Sequence, residues 1–394
     1  MIDAKTIIVV GDTFPTYTNT EFFTNGDIHS LFGERICQMF ANADLSICNM
    51  EGALTDNPER CNKIGPVLVA PTNVITTYKN LGINCCTLAN NHITDGGHQG
   101  IIDTMATLDN AGIQHIGVGH NEVDIKRSLI YNLGNLKVGL YNVCELMFNK
   151  PSSNKGGAWL YDEYIVCREI YELKHRCDYL IVVYHGGIER FRYPSPETRK
   201  RFHRMADNGA DMILSQHTHC IGCEEWYNGA YLLYGQGNFL FRDLRPGQTD
   251  EALIVEIVFS DGRAEVNKHL VKSVDKKFVR YDEKQDLSAF ESRSEKVVDE
   301  TYVRQQFEDF CYQKISTYLW ACRNRSIFLR IIRKILFPKS DLRNFWFKTY
   351  SMRSLMEILF NLRSEQKREE AIVGMEVLLD DILKNRIDVN WHEL

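Results

Sequence analysis

The sequence lacks any long apolar run. None of its segments approaches the roughly 18 uninterrupted apolar residues that a transmembrane helix needs. The apolar run near the amino terminus, Thr6 to Val10, is too short for the hydrophobic region of a signal peptide, and no small-residue cleavage site follows it. We therefore expect a cytoplasmic protein, whose only contact with the inner membrane would be peripheral.

The sequence also has little net charge and no cysteine framework. Its formal net charge is -6 over 394 residues, so no global attraction to nucleic acid is expected. The 12 cysteines are scattered, and we expect them to be reduced and mostly buried. Cys220 and Cys223 form a Cys-x-x-Cys pair without a second pair at zinc-ribbon spacing. Packing is the preferred interpretation of this pair, and a metal or redox role is the alternative.

Short apolar runs alternate with segments of helical periodicity in the first two thirds of the chain. The runs that begin at residues 6, 45, 83, 179 and 212 predict strands, and helices are expected between most of them. Residues 13–26 are expected to be a loop. Hairpins are predicted at 128–140, with a Gly134-Asn135 turn, and at 252–271, with an Asp261-Gly262 turn. This pattern predicts one α/β sandwich in residues 1–275 and an all-helical domain in residues 276–394.

Polar side chains follow several of these apolar runs. They are Asp12, Glu51, Asn91, His185, His217 and His219. Because open α/β sheets place their sites at the carboxyl ends of strands, we expect these side chains on one rim. Mixed nitrogen and oxygen ligands suit Zn, Mn or Fe, and a carboxylate can bridge two ions. The pattern therefore predicts two divalent transition metal ions in a hydrolytic site.

His92 follows Asn91 directly and is predicted to act as the general acid on the leaving group. Each predicted ligand taken alone has an ordinary alternative. Asp12 could belong to a turn, Glu51 could cap a helix or form a salt bridge, and His217 with His219 could lie in an ordinary loop. Their common position at strand ends favours the metal site.

Six short motifs occur in one order along the chain. They are Gly11-Asp12, Asn49-Met50-Glu51, Ala89-Asn90-Asn91-His92, His185-Gly186-Gly187, Gln216-His217-Thr218-His219 and Tyr234-Gly235-Gln236-Gly237-Asn238-Phe239. This ordered set, which covers about residues 6–271, resembles the bacterial CapA-like family. That family is associated with poly-γ-glutamate capsule synthesis and is similar to the calcineurin-like metallophosphoesterases.

The resemblance implies a four-layer α/β/β/α metallophosphoesterase-like sandwich and a division of the ligands between two ions. Asp12 and His219 would hold one ion and Glu51 would bridge, while the other ion would be held by Asn91, His185 and His217. One departure concerns the first motif, because Asp12-Thr13-Phe14 lacks the histidine of the metallophosphoesterase Asp-x-His pattern.

Four further residues are predicted to bind an anionic substrate. Lys63 and Arg190 lie just beyond ligand segments and can pair with a negatively charged group, although solvated loop charges are the alternative. Asn49 and Asn238 belong to two of the motifs and complete the predicted substrate-binding set.

Residues 320–353 combine basic and aromatic side chains, with Asp341 as their single acid. Such a segment can contact a membrane surface or an anionic partner. A packed helix whose arginines extend to solvent is the alternative. CapA-like proteins often carry an amino-terminal anchor, and none is evident here, so we expect any membrane contact to come from this segment.

Two hypotheses follow for the function. The first is a dinuclear-metal hydrolase of phosphoesters, or of amides, in capsule, exopolysaccharide or poly-γ-glutamate biosynthesis. The second is a non-catalytic assembly or scaffold protein of a capsule-synthesis complex, which docks to a synthase or a membrane through its helical domain.

Overall fold

The computed structural model describes residues 4–59, 65–147, 149–241 and 251–322, together with 356–357, 360–361 and 363–384. Two of the predictions above concern other parts of the chain. Lys63 and residues 323–353 of the basic segment lie outside the described residues. Their predicted roles therefore stay predictions.

Strands occupy much of the described chain up to Tyr281. In chain order they are β1 (Lys5–Thr13), β2 (Leu45–Met50), β3 (Ala53–Leu54), β4 (Val69–Ala70), β5 (Cys85–Thr87), β6 (Gln114–Ile116), β7 (Val118–Gly119), β8 (Ser128–Leu133), β9 (Leu136–Cys144), β10 (Gly157–Ala158), β11 (Tyr179–His185), β12 (Met212–Gln216), β13 (Glu224–Tyr227), β14 (Ala230–Leu233), β15 (Asn238–Leu240), β16 (Glu251–Ser260), β17 (Arg263–Val274) and β18 (Phe278–Tyr281). Most of them join two large sheets.

Helices lie between these strands and after them. They are α1 (Thr20–Asn25), α2 (Ile28–Ala41), α3 (Ile75–Leu81), α4 (Gly97–Ala111), α5 (Glu163–Lys174), α6 (Pro196–Asp207), α7 (Ser288–Lys296), α8 (Glu300–Cys322) and α9 (Glu365–Lys384). Several begin at a side-chain cap. The carboxylate of Asp162 accepts the Ile165 N–H at the start of α5, and the Ser195 hydroxyl accepts the Thr198 N–H before Pro196 opens α6.

The first sheet has eight strands and a parallel half next to an antiparallel half. Its strand order is β18-β17-β16-β1-β2-β5-β6, and β15 pairs with β1. Strands β1, β2, β5 and β6 run parallel, whereas β16 to β18 form an antiparallel meander. The carboxyl ends of the parallel strands therefore meet at one edge.

The second sheet has six strands in the order β13-β14-β12-β11-β9-β8. Its four central strands are parallel, and the two outer strands are antiparallel hairpin partners. A buried strand such as β11, which has apolar side chains on both faces, is typical of the centre of a parallel sheet.

The two sheets pack face to face, with helices on both outer sides. Alternate residues of β1 show this arrangement: Ile7 and Val9 pack between the sheets, whereas Ile8 and Val10 pack against the α1–α4 layer. In β11, Val183 faces the other sheet and Val182 lies in the cluster formed with α5 and α6. The predicted four-layer α/β/β/α sandwich is confirmed.

The structure differs from the sequence prediction at short elements. The predicted loop at 13–26 contains helix α1, which ends at Gly26 in a left-handed conformation (φ 67°) that glycine tolerates. Several strands of two to four residues, among them β3, β4 and β13, were not predicted, since so short a segment becomes a strand only through its partner. Strand β18 pairs with β17, so the first sheet extends to Tyr281.

The chain divides into two compact units, one comprising Met1–Asn62 with Pro66–Arg304 and the other Lys63–Gly65 with Gln305–Leu394. In the second unit, the longest described stretches are the end of α8 and helix α9. The carboxyl-terminal helical extension is thus confirmed, while the domain boundary at residue 275 stays a prediction. Among the described helices, none combines the length and apolar composition that crossing a lipid bilayer requires.

Candidate metal centre

The strand ends of both sheets bring polar side chains to one rim. In the first sheet, Asp12 of β1 is paired in register with Asn49 of β2, and Glu51 follows directly after β2. In the second sheet, His185 ends β11 in register with Gln216 of β12, and His217 comes next. Within each sheet, parallel pairing therefore places these residues at the same level, as the sequence predicted.

The Glu51 carboxylate lies amid three imidazoles. Its Oε1 atom is 3.7 Å from Nε2 of His185, 3.8 Å from Nε2 of His92 and 3.9 Å from Nε2 of His219. These separations are too long for hydrogen bonds. They leave room for an ion that lies about 2 Å from each of two such donors.

Neither carboxylate oxygen of Glu51 makes a hydrogen bond to any described residue, although the side chain is fully buried. Burial raises the pKa of Glu51 well above its ordinary value, and the negative charge of Asp12 adds to the effect. A buried carboxylate without donors is costly unless a cation compensates it. The surroundings of Glu51 therefore fit a metal ligand.

Asp12 is held as an anion in the same site. Its Oδ1 accepts the Asn49 Nδ2–H at 2.8 Å, and its Oδ2 accepts the His217 backbone N–H at 3.1 Å. His219 Nδ1 lies 3.3 Å from Oδ2. Burial acts to raise the pKa of Asp12, but the hydrogen bond with His219 and the charges of His185 and His219 lower it to about 2.

His185 lies between both sheets and is buried. Its Nε2 is 2.9 Å from Oδ1 of Asn91, and its Nδ1 is 3.2 Å from Nδ2 of Asn49. Burial lowers the pKa of His185 well below its ordinary value, and the neighbouring His217 contributes in the same direction. His185 is thus kept neutral, which is the form that binds a metal.

His217 and His219 both adopt left-handed backbone conformations, with φ of 86° and 53°. Non-glycine residues seldom do so, and such strain is concentrated at functional sites. Nδ1 of His219 lies 2.9 Å from Oδ1 of Asn238, and Phe241 stacks on its ring. A proton donated from Nδ1 leaves Nε2 to face Glu51. Burial acts to lower the pKa of His219, but Glu51 and Asp12 raise it well above its ordinary value.

Within the part of the chain that the structure describes, two groups of three side chains have donor atoms within 4.8 Å of one another. They are Glu51 with His185 and His217, and Asp12 with Glu51 and His219. The groups share Glu51, which agrees with the division of ligands that the resemblance implied. Residues that can hold a metal ion are therefore present, while the ligand roles stay predictions.

His92 lies beside these groups with a carboxylate behind it. Its Nδ1 is 2.7 Å from Oδ2 of Asp95, and the same oxygen accepts the Leu68 N–H at 2.7 Å. Asp95 is 1% exposed and was not singled out in the sequence. The contact orients the His92 ring so that Nε2 faces Glu51.

The predicted substrate residues lie in different surroundings. Asn49 and Asn238 contact Asp12 and His219 respectively, so both orient predicted ligands. Arg190 lies in the loop after β11 with φ of 65°, and its backbone N–H donates to the Thr218 carbonyl. Substrate binding by these residues and by Lys63 stays a prediction.

Glu145 is a third carboxylate at the rim that the sequence prediction missed. It follows strand β9 directly, and its Oε1 lies 3.8 Å from Nε2 of His217. The signal was present, since Tyr141, Val143 and Cys144 continue the strand-like residues of β9 beyond Leu140 and a carboxylate follows directly. The predicted hairpin had ended this strand at Leu140.

Cys220 and Cys223 do not join either metal-ligating group among the described residues. Both are buried free thiols, and burial raises their pKa values. This environment makes a thiol unreactive. The packing interpretation of the Cys-x-x-Cys pair is therefore favoured.

Comparison with known proteins agrees with the strand-end motifs. The family model described as "Bacterial capsule synthesis protein PGA_cap" matches residues 6–243. The capsule biosynthesis protein CapA of Bacillus anthracis is 27% identical over 203 residues, which cover 50% of this chain and 49% of that protein. The PGA biosynthesis protein CapA of Bacillus subtilis (strain 168) is 29% identical over 187 residues, covering 46% of this chain and 48% of that protein.

The chain thus spans about half the length of the curated relatives it matches. A hypothetical protein from Thermus thermophilus, known from its crystal structure, is 14% identical with a TM-score of 0.44, and the match covers 68% of this chain and 100% of that protein. So weak a structural similarity carries no functional argument.

Proposed function

The chain belongs to the family described as bacterial capsule synthesis protein PGA_cap, and from that premise we propose that it is a metal-dependent hydrolase in capsule, exopolysaccharide or poly-γ-glutamate biosynthesis. It would cleave a phosphoester or an amide in an anionic small molecule or polymer, in the cytoplasm or at the inner face of the membrane. The observation that carries the proposal is the buried Glu51 carboxylate, which makes no hydrogen bond and faces three imidazole nitrogens.

The proposed ligands fall into two sets joined by Glu51. Asp12 and His219 would hold one ion, and Asn91, His185 and His217 would hold the other. Two divalent ions such as Mn, Zn or Fe held there would supply Lewis-acid chemistry for hydrolysis. The neutral Asn91 and the three imidazoles leave Asp12 and Glu51 as the only charged members of this proposed set.

His92 is the proposed general acid. Its Nδ1 is held by Asp95, so its Nε2 is the atom that gives a proton to the leaving group. Asn49 and Asn238 hold Asp12 and His219 in position, and we assign Lys63 and Arg190 to the negative charge of the substrate. Phosphoester and amide bonds both meet the requirements of such a site.

The test combines metal analysis with two assays on the purified protein. Elemental analysis after supply of Mn, Zn or Fe measures the bound ions, p-nitrophenyl phosphate reports phosphoester cleavage, and glutamate release from poly-γ-glutamate reports amide cleavage. Stoichiometric metal that is lost in the H217A/H219A double variant supports the proposal. Failure to bind any of the three metals would overturn it.

A second candidate function is a scaffold role in a capsule-synthesis complex. Phe14 stands where the metallophosphoesterase pattern has a histidine, and this side chain is buried in the α1–α4 layer rather than at the rim. The basic and aromatic residues of 320–353 would then dock to a synthase or a membrane. Bound metal without turnover on either substrate would favour this candidate.

A further inference from the structure

Two arginines from different parts of the fold meet at one backbone carbonyl. Nη1 of Arg192, in the loop between β11 and α6, donates to the Ile221 carbonyl at 2.8 Å. Nη2 of Arg293, on α7, donates to the same oxygen at 3.3 Å, and its Nε donates to the Gly222 carbonyl at 2.9 Å. The two positive charges are therefore held close together.

The segments that carry these arginines are fixed by backbone hydrogen bonds. The Arg190 N–H donates to the Thr218 carbonyl at 2.7 Å, so the loop that contains Arg192 runs beside the segment that follows β12. On α7, the Ser294 hydroxyl accepts the Glu224 N–H at 3.0 Å, which holds this helix at the start of β13. The packing of the loop and the helix therefore brings the two side chains together.

No carboxylate balances this pair within the described part of the chain. Arg192 and Arg293 are both half-buried, and neither forms an ion pair with a described residue. Burial lowers the pKa of Arg293 below its ordinary value, and the positive charge of Arg192 adds to the effect. Two like charges that are partly removed from water are costly unless an anion compensates them. The pair therefore has the electrostatics of an anion site.

Arg280 shows how a single arginine serves the fold of this protein. It is also half-buried, and it donates to the Ser30 carbonyl at 2.8 Å and to the Leu31 carbonyl at 3.0 Å. In the pair, Arg293 by itself already donates to both carbonyls of the 221–222 segment. The second charge, that of Arg192, adds no carbonyl to these, so backbone hydrogen bonding alone does not account for it.

We propose that Arg192 and Arg293 form an oxyanion subsite, which binds a carboxylate or phosphate group of the substrate beside the candidate metal centre. A guanidinium presents its N–H donors in a planar fork that matches such groups. Three of the donor nitrogens, Nε and Nη2 of Arg192 and Nη1 of Arg293, make no hydrogen bond to a described residue.

The subsite lies near the predicted ligands along the chain. Ile221 follows His219 by two residues, so their Cα atoms are no more than about 8 Å apart. An acidic polymer whose scissile bond lies at the ions can thus place a neighbouring charged unit at Arg192 and Arg293. The assignment of the anion to the substrate rests on the proposed function, whereas the anion subsite itself does not.

Anion binding by the metal-free full chain tests the subsite without the ions. The probes in titration calorimetry at low salt are inorganic phosphate and γ-linked tetraglutamate, which carries carboxylates only. Wild type should bind at least one of them. Arg192→Gln and Arg293→Gln should each weaken that binding about 10-fold, because each removes a charged hydrogen-bond donor. Arg280→Gln is the matched control and should leave the affinity unchanged.

The arginine side-chain signals give a second readout, which does not require the glutamine variants to fold. In ¹⁵N spectra of the wild-type chain, the Nε–H signals of Arg192 and Arg293 should shift when the probe is added, whereas that of Arg280 should not. Arg192→Lys and Arg293→Lys provide the assignment. A role confined to holding the Ile221 and Gly222 carbonyls would leave both signals insensitive to the anion.

The outcomes separate the subsite from the proposed function. The subsite is overturned if neither probe binds wild type, or if Arg192→Gln and Arg293→Gln bind as tightly as wild type, whatever metal the protein holds. Binding of phosphate alone supports a subsite for a phosphate-bearing substrate, and binding of tetraglutamate supports one for an acidic polymer. A wild-type chain that binds an anion through this pair but binds no metal overturns the hydrolase function alone.

Discussion

Two buried clusters of this protein join carboxylates to imidazoles, and they differ in how completely their charges are satisfied. The outer cluster, formed by Arg199, His203, Glu225 and Tyr234, lies on α6, on β13 and just after β14. Arg199 donates to Oε2 of Glu225 from Nε at 3.2 Å and from Nη2 at 2.9 Å, and the Tyr234 hydroxyl donates to Oε1 at 2.8 Å. His203 also contacts Oε1.

The rim cluster is formed by Asp12, Glu51, His185, His217 and His219. Its central carboxylate, that of Glu51, accepts no comparable set of hydrogen bonds from the described residues. Burial raises the pKa of Glu51 well above its ordinary value, and no hydrogen-bond donor opposes that effect. Burial acts on Glu225 in the same direction, but hydrogen bonds from His203 and Arg199 lower its pKa. The same residue type is therefore stabilised in one cluster and left in need of a cation in the other.

This difference indicates which cluster serves the fold and which serves chemistry. A carboxylate that accepts several hydrogen bonds contributes to stability where it stands. A carboxylate that faces only imidazole nitrogens beyond hydrogen-bond distance is a ligand arrangement.

The largest effect is expected for Glu51→Gln, because both metal-ligating groups contain Glu51. The variant should lose both ions, and turnover should fall by more than the about 10⁴-fold that loss of one general acid causes. Elemental analysis and the phosphoester and amide assays measure this. Glu225→Gln should keep both ions, and equal metal loss in the two variants would erase the distinction between the clusters.

His92→Ala and Asn91→Ala divide the rim cluster further. His92→Ala should keep both ions and lose about 10²- to 10⁴-fold in turnover, since it removes only the proposed proton donor. Asn91→Ala should lose one ion and keep the other. Metal content measured beside single-turnover rates checks both expectations, and identical behaviour of the two variants would contradict the assigned roles.

For the free energy of unfolding, Glu225→Gln should have a larger effect than Glu51→Gln. In the metal-free protein, Glu225→Gln should lower the free energy of unfolding by about 2–4 kcal/mol, because it leaves Arg199 without its charge partner. Glu51→Gln should change it by less than about 1 kcal/mol or raise it, since no hydrogen bond is lost. Urea unfolding measures both.

The pH dependence of this stability has a defined sign. The folded-state pKa of Glu225 lies below its ordinary value of 4.5, so its contribution is present above pH 4.5 and is lost as the pH falls through the lower folded-state value. The difference between wild type and Glu225→Gln should therefore shrink in acid. A difference that grows below pH 4.5 would be inconsistent with the lowered pKa.

The smallest effect is expected from the basic segment. The R333Q variant, which removes one positive charge, should weaken co-sedimentation with vesicles of anionic lipid by about 1 kcal/mol. If the wild-type protein does not bind the vesicles even at low salt, and the variant behaves in the same way, docking to a membrane is removed from the scaffold role. Metal content should be the same in both proteins.

Much of the rim could be predicted because its residues follow apolar strands. Asp12, Glu51 and His185 each stand close after a run of apolar residues, and that boundary is visible locally. Glu145 has the same signal, but a turn at Gly134-Asn135 made its strand look like the second arm of a short hairpin. The short strands and α1 could not be predicted, since their conformation depends on neighbours distant in sequence.

The hydrogen-bond partners of the amides could not be predicted from residue type. Asn49 and Asn238 were expected to bind substrate, and the structure places their side chains against Asp12 and His219. An amide offers both a donor and an acceptor, so its partner is set by position alone. Asp95 was missed for a similar reason, because a carboxylate three residues after His92 also fits an ordinary turn.

Local patterns of the chain determined the α/β class, the succession of strands and helices along the sequence, and the residues that follow the strands. Only the packing of two sheets decided that Asn91 meets His185 across 94 residues and that Asp12 accepts the N–H of His217 across 205. The same packing buries Glu51 without a donor from the described residues, while Glu225 accepts several hydrogen bonds. The physical reason is that the residues which meet depend on the register of paired strands, and the burial of a side chain depends on the layers packed around it. Neither is a property of a single segment.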